Sequence, residues 1–333
     1  MTIAIAMATY NGEQYIYKQL ESIVNQTRKP DKIVIIDDAS TDETVTITKN
    51  ILTESHIPFE IIINDHNIGA RDSFFKSIEY INQDIVFFSD QDDIWIRNKI
   101  EVMANVFEQN KDCALVVCDS LIWENKTSNK RLHKRLKINY RIDDEKLVDM
   151  EWYWRELICR NIVTGMNMAL SINAARITSG SISMLHDSWY AMIAPVFGKV
   201  YAIEMPLVKY RQHSNNVKGA KRVISRRKIV NSREKVKKAF CLKKERVRVI
   251  KEIDKQKGVL SASNREYLMK YDDFLTKQNS YIETGRFLSL LILKIKSRYM
   301  NYLELDIRDE FVSMGNFARN IKQKLLKERC GRI

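Results

Sequence analysis

Three carboxylates fall within four positions where an apolar run ends: Ile85-Val86-Phe87-Phe88 gives way to Ser89-Asp90-Gln91-Asp92-Asp93. Carboxylates this close repel one another strongly at low effective dielectric, so they share a place only where a cation sits among them or water separates them. A divalent ion is the economical partner. One or two carboxylates suit Mg²⁺ or Mn²⁺, with a substrate diphosphate supplying the remaining oxygen ligands. Read by local pattern alone, Asp92 and Asp93 also suit the cap of a following helix.

The flanking sequence says how such a cluster reaches an accessible edge. Residues 3–8 form a short apolar run, residues 12–25 place Ile16, Leu20, Ile23 and Val24 at helical spacing, and residues 33–36 read as a second strand. Ser40-Thr41-Asp42-Glu43 has the form of a capping box and predicts a helix from that point, carried on by Val45, Ile47 and Ile51. Strands at 60–63, 85–88 and 115–118 then alternate with helices at 72–81 and 94–107. This is an α/β pattern with a mostly parallel central sheet flanked by helices. In such sheets ligands bind beyond the carboxyl ends of the strands, where Thr9-Tyr10-Asn11, Asp37-Asp38 and the Asp90–Asp93 cluster all fall. Neither G-x-G-x-x-G nor G-x-x-x-x-G-K-[ST] occurs, which leaves phosphates to metal and side chains.

At 333 residues and 45% hydrophobic content, the chain has material for one large domain or two. Its five cysteines form no C-x-x-C pair, which suggests neither a disulfide framework nor a zinc site and suits a reducing cytoplasm. The first residues lack the features of a secretory signal, and no stretch approaches the roughly 18 apolar residues of a membrane span, so an integral membrane protein is not expected. The net charge of +13 is unevenly placed: residues 218–333 hold 31 Lys and Arg against 13 Asp and Glu, a net of +18, which leaves residues 1–217 at −5. A basic C-terminal third can serve nucleic acid, an anionic membrane surface or solvated helix faces.

Ala8-Thr9-Tyr10-Asn11-Gly12, Ile36-Asp37-Asp38-Ala39-Ser40-Thr41-Asp42, Asn67-Ile68-Gly69 and Ser89-Asp90-Gln91-Asp92-Asp93-Ile94-Trp95 occur in an order and spacing that resembles the family 2 glycosyltransferases with the GT-A fold. The resemblance covers about the first 215 residues. The D-Q-D-D-x-W form, with Leu185-His186-Asp187-Ser188-Trp189 and Tyr210-Arg211-Gln212-His213-Ser214-Asn215-Asn216, looks closest to bacterial rhamnosyltransferases of cell-wall and capsular polysaccharide synthesis. Residues 1–217 are expected to be the catalytic domain, with 1–120 its nucleotide-sugar half and 121–217 its acceptor half. Residues 218–333 are expected to be a basic helical region.

The resemblance implies roles. Asp38 would accept the N3–H of a pyrimidine, with Thr9 and Tyr10 lining the nucleoside pocket; read locally, Asp37 and Asp38 start a turn that Ser40 caps. Arg71 could pair with the diphosphate as a planar fork. Asp90 and Asp92 would be the D-x-D pair, Asp92 binding the metal and Asp90 lying nearer the ribose or a metal-bound water, while Asp93 caps the next helix. His213 is the implied second metal ligand, Arg211 would meet the leaving diphosphate, and Asn215 and Asn216 would support their loop. An inverting transfer needs one carboxylate at the acceptor hydroxyl, and Asp187, opening the apolar stretch 189–197, is the candidate base; the same position suits a helix cap. His186 is expected to tune Asp187.

Trp152-Tyr153-Trp154 could stack on an acceptor sugar or pack in the core, and residues 126–144 read as a polar loop around the acceptor cleft. Residues 286–305 interleave an apolar stripe with Lys294, Lys296 and Arg298, which suits an interfacial helix on anionic lipid or a face packed on protein, including a second copy. Nucleic acid fits poorly, since no binding motif accompanies the basic patch. The expected protein is therefore a metal-dependent inverting transferase at the inner face of the cell membrane. It would move a sugar from a dTDP- or UDP-activated donor, most specifically L-rhamnose from its dTDP form, onto a lipid-linked saccharide. The rival from another class is a non-catalytic saccharide- or membrane-binding protein that retains the fold.

Overall fold

The computed structural model describes residues 1–124, 126–178, 184–213 and 232–284. These divide into two compact units, one of residues 1–157 and 161–213, the other of residues 158–160 and 232–284.

The first unit begins β1 (Ile3–Thr9), α1 (Glu13–Val24), β2 (Lys32–Asp37), α2 (Thr44–Ser55), β3 (Phe59–Ile63), α3 (Ala70–Ser77), β4 (Ile85–Ser89), β5 (Ile94–Trp95) and α4 (Lys99–Gln109). It continues β6 (Cys113–Glu124), β7 (Lys126–Arg131), α5 (Leu132–Leu136), α6 (Met150–Cys159), β8 (Met168–Ser171), α7 (Ile172–Ala175), α8 (His186–Phe197) and β9 (Lys199–Arg211). The sheet order is β3-β2-β1-β4-β8-β6-β9-β5, with β7 paired to β6. The strands β3, β2, β1 and β4 are all parallel; beyond them β8 runs antiparallel to both β4 and β6, β9 parallel to β6, and β5 antiparallel to β9. Helices cover both faces of the parallel half, so β1 reads as an unbroken apolar run with Ile3 to Met7 fully buried. The register pairs Thr9 with Asp37 and Met7 with Ser89, which brings the polar ends of β1, β2 and β4 to one edge.

Several local expectations are corrected. The helix expected over 94–107 starts only at Lys99, because Ile94 and Trp95 pair with Lys209 and Val208 of β9 and Ile96 N–H donates to Leu207 O. The box starting at Ser40 does not cap α2: the Ser40 hydroxyl donates to Asp37, and Asp42 instead accepts the Thr44 N–H at 3.0 Å. Residues 126–144 hold β7 and α5 and are not a plain loop. Tyr153 and Trp154 are core, at 0% and 2% exposure, and the Tyr153 hydroxyl donates to Ala191 O, so neither ring offers a platform to a sugar.

The second unit pairs α9 (Ser232–Lys257) with α10 (Ala262–Glu283). Ser261 caps α10 through the Asn264 N–H. Val247, Ile250, Ile253, Leu268, Tyr271 and Leu275 are buried at helical spacing, and ion pairs of Lys251 with Asp272 and Arg265 with Asp254, each 2.6 Å, tie the pair at its surface. Residues 286–305, Asn215 and Asn216 lie outside the described residues.

Candidate active site

The ends of β1 and β2 are stitched by side chains. Buried Asp37 accepts the hydroxyls of Thr9 and Ser40 at 2.7 Å each and the Ser40 N–H at 2.8 Å. Asn11 and Ala39 hold left-handed backbone, φ 45° and 64°, and Asn11 Oδ1 accepts the Thr41 N–H while its own N–H donates to Ser40 Oγ. Asp38 is 3% exposed and accepts from Asn64 Nδ2, Ile68 N and Gly69 N at 2.9, 2.8 and 2.7 Å. It therefore anchors the Asn67-Ile68-Gly69 segment, with about one of a carboxylate's four acceptor positions left. Thr9, 2% exposed, braces Asp37 and does not line an open pocket; Tyr10, 47% exposed, stands at the rim.

At the end of β4 the carboxylates separate by environment. His213 Nε2 lies 2.6 Å from Asp92 Oδ2, and the His213 ring stacks on Tyr15 with centroids 4.7 Å apart. Removal from water, then Asp92, then Asp187 push the Asp90 carboxyl up to about 7, against the pull of Lys99. Asp93 is fully buried and does not cap α4: its Oδ1 accepts the Arg211 N–H at 3.0 Å, and burial with its carboxylate neighbours holds its pKa well above the usual range. Arg211 is a clamp on the same turn. Its Nε donates to the Asp92 carbonyl at 2.6 Å, and its guanidinium lies over the Trp123 and Tyr15 rings at 4.0 and 5.0 Å. Lys99, fully buried, donates to Met166 O at 2.6 Å and sits 3.6 Å over the Trp95 ring; burial brings it down to about 8, against Cys118, Asp93 and Asp90.

Asp187 is in the first turn of α8, where Leu185 holds the cap position, and its Oδ1 accepts the Ser188 N–H at 2.6 Å. It is close enough to Asp90 to raise it. The neighbouring His186 is 6% exposed, and its ring packs on Phe74 and Phe88 at 4.0 and 5.4 Å, over a space at Gly165 where a Cβ would lie 2.5 Å from Nε2. Arg71 forks onto its neighbour Asp72, Nε to Oδ1 at 2.8 Å and Nη2 to Oδ2 at 3.0 Å.

Residues 4–162 match the family described as Glycosyl transferase family 2. The chain contains a glycosyl transferase family 2 domain. It is 42% identical over 103 residues to the dTDP-rhamnosyl transferase RfbG of Shigella flexneri, covering 28% of this chain and 34% of that one. It is 29% identical over 108 residues to the UDP-Glc:alpha-D-GlcNAc-diphosphoundecaprenol beta-1,3-glucosyltransferase WfgD of Escherichia coli, covering 32% and 42%. The chain thus spans well under half the length of these curated relatives. The structure of S. aureus TarS 1-349 in complex with UDP-GlcNAc superposes with a TM-score of 0.59 at 13% identity, covering 93% of this chain and 95% of that one. That likeness shows the GT-A fold, a mixed α/β architecture on a central sheet.

The structure thus brings Asp90 and Asp92 of the matched segment together with Asp187, Arg211 and His213 beyond it, and sets Thr9, Tyr10 and Asp38 on the adjoining strand ends. Among the described residues, no group of three or more His, Cys, Asp or Glu is arranged to hold a metal ion. The donor set nevertheless fits a divalent ion that takes two protein ligands, a carboxylate and an imidazole, and completes its shell from diphosphate and water. Sequence reasoning missed Gln91, Tyr15, Trp123 and Lys99. Gln91 stood inside the quoted motif without a role, and the other three carry no local signal because their partners are distant in sequence. A cavity of about 410 Å³, lined by Asp119, Arg131, His133, Tyr140 and Glu204 among others, opens beside β6 and β9. No helix of the described residues is long and apolar enough to cross a membrane.

Proposed function

We propose that this protein is an inverting, metal-dependent hexosyltransferase that moves L-rhamnose from dTDP-rhamnose onto a lipid-linked saccharide in surface polysaccharide synthesis. The observation that carries the reading is the convergence of Asp92 and His213 at 2.6 Å beside Asp90 and Asp187. A fold retained only for binding has no need to crowd carboxylates in this way. The identity with a dTDP-rhamnosyl transferase supports the donor. A UDP-sugar donor is the second reading, favoured by the likeness to a relative named for UDP-Glc.

Asp92 and His213 would hold Mn²⁺ or Mg²⁺, which when bound offsets the charge of the donor diphosphate. Tyr10 and the remaining acceptor position of Asp38 receive the nucleoside, and Arg211 holds the Asp92 carbonyl so that the turn keeps its shape. Asp187 accepts the proton of the acceptor hydroxyl as that oxygen attacks the anomeric carbon from the face opposite the nucleotide. The bond from that carbon to the diphosphate oxygen breaks, the nucleoside diphosphate leaves, and the proton remains on Asp187. The polar cavity beside β6 and β9 lies within the expected acceptor half and suits a saccharide. The basic region 218–333 would hold the enzyme on the anionic inner membrane surface, where the acceptor resides. Screening dTDP- and UDP-sugars for metal-dependent hydrolysis by the purified protein tests the reading. Hydrolysis of none of them would overturn it.

A further inference from the structure

Gln91 is the uncharged member of the Asp90-Gln91-Asp92-Asp93 turn, and its side chain leaves the turn to reach the end of β1. Its Oε1 accepts the Tyr10 N–H at 2.9 Å and its Nε2 donates to the Tyr10 carbonyl at 3.0 Å, so the amide satisfies one residue of backbone as a neighbouring strand would. The facing chain leaves room for it. A Cβ on Gly12 would lie 2.2 Å from Gln91 Oε1 and 2.5 Å from its Cδ. Gly12 has φ −108°, which any residue adopts, so a side chain there would displace the Gln91 amide without straining the backbone. The other side-chain bonds of residues 9–12 run to the β2 side, to Asp37, Ser40, Thr41 and Thr44. Among the described residues, Gln91 thus links the Tyr10 backbone directly to the turn that carries Asp92.

We propose that Gln91 is a positioning residue, a strut that fixes the spacing between a nucleoside subsite at Tyr10 and a diphosphate subsite at Asp92 and His213. The proposal rests on the reading of this edge as a nucleotide-sugar site. A ligand of two joined parts gains from its second contact only when the subsites sit at the separation it spans. Loosening the strut leaves each part able to bind alone and removes the advantage of the joined ligand. The effect is therefore on the whole nucleotide and not on its pieces.

The test compares thymidine, uridine, inorganic pyrophosphate, dTDP and UDP, each with Mn²⁺, on the full chain and on Gln91→Ala, Gln91→Glu, Gly12→Ala and the double Gly12→Ala/Gln91→Ala variant. Calorimetry reads the tight ligands and saturation-transfer NMR the weak ones. Nucleoside and pyrophosphate affinities should stay within about 2-fold throughout, while the preferred nucleoside diphosphate weakens by roughly 10-fold in Gln91→Ala and in Gly12→Ala. Gln91→Glu keeps the acceptor for the Tyr10 N–H but loses the donor, and should fall between. The double variant should bind no worse than Gln91→Ala, because the added Cβ then has no amide to strike. Equal losses for the parts and the whole, additive losses in the double variant, or a wild type that binds neither nucleoside would overturn the strut. A wild type that binds no nucleoside diphosphate would instead remove the nucleotide-site reading on which it rests. Should Gly12→Ala fail to fold, as its melting curve would show, the two Gln91 variants carry the test.

Discussion

His213 Nε2 and Asp92 Oδ2 meet at 2.6 Å although 121 positions separate the two residues in sequence. The contact joins the last described residue of the first unit to the turn after β4, and Tyr15 fixes the ring from one side. If this pair is the metal site, dTDP or UDP binding should be abolished by EDTA, because a diphosphate arriving beside Asp90 and Asp92 would otherwise meet like charge. Asp92→Asn and His213→Ala should each weaken Mn²⁺-dependent binding by at least roughly 10-fold, the range seen when the support of a metal site is damaged. Calorimetry that finds the nucleotide bound equally well with and without chelator removes the metal from the mechanism.

Lys99 gives a pH dependence with a definite sign. Its pKa in the fold is about 8 against an ordinary 10.5, chiefly through burial. Below pH 8 it is charged in both states and the buried charge weakens the fold, by on the order of 3 kcal/mol for a shift of this size. Between pH 8 and 10.5 the folded protein gives up the proton before the unfolded chain does, so the unfolded state binds more protons and stability rises with pH. Urea unfolding of the wild type should therefore gain on Lys99→Met across that window. A difference between the two that stays flat from pH 8 to 10.5 would show that Lys99 is not carrying a displaced proton.

The fold and the edge bearing the site were legible because each strand of the parallel half is a continuous apolar run ending in polar residues. Thr9, Asp37 and Asp90 could be placed at strand ends before any contact was known. What failed was the assignment of local polar residues to local jobs. Asp93 and Ser40 read as caps, yet Asp93 accepts from Arg211 across the sheet and Ser40 donates to Asp37. Short polar side chains suit caps, turns and long-range bonds alike, and only tertiary structure decides which donor arrives. The extended pairing of Trp95 with Val208 likewise overrode a helical pattern through a strand more than a hundred residues away. Trp152-Tyr153-Trp154 was ambiguous for another reason: an aromatic run says that a surface is large and apolar, not which side of it faces water.

The basic C-terminal third makes a separate prediction. If residues 286–305 lie on the membrane, the protein should co-sediment with vesicles containing anionic lipid and release as salt rises, since each basic residue near the surface contributes about 1 kcal/mol. Truncation before Lys221 should abolish this. Equal partition into neutral vesicles, or none into anionic ones, assigns the stripe to a protein surface instead.

Asp187 separates an enzyme from a binding protein. It stands at the second position of α8, after Leu185 at the cap, and its Oδ1 accepts the Ser188 N–H of the first turn. A carboxylate in the first turn still interacts favourably with the helix dipole, by about 0.3–1 kcal/mol, and Asp187→Asn should cost no more than that in stability. The substitution keeps the size of the side chain and an oxygen for the Ser188 N–H, but removes the proton acceptor. Folding and donor affinity should therefore survive while transfer falls by roughly 10² to 10⁴. His186→Ala, acting in the Phe74 and Phe88 core, should show the reverse: lost stability with turnover per folded molecule largely kept. Thermal unfolding, nucleotide affinity and acceptor-dependent turnover on the same preparations decide between the two patterns. Near-normal transfer by Asp187→Asn would end its candidacy and leave Asp90, its neighbour in the same cluster, as the next carboxylate to test.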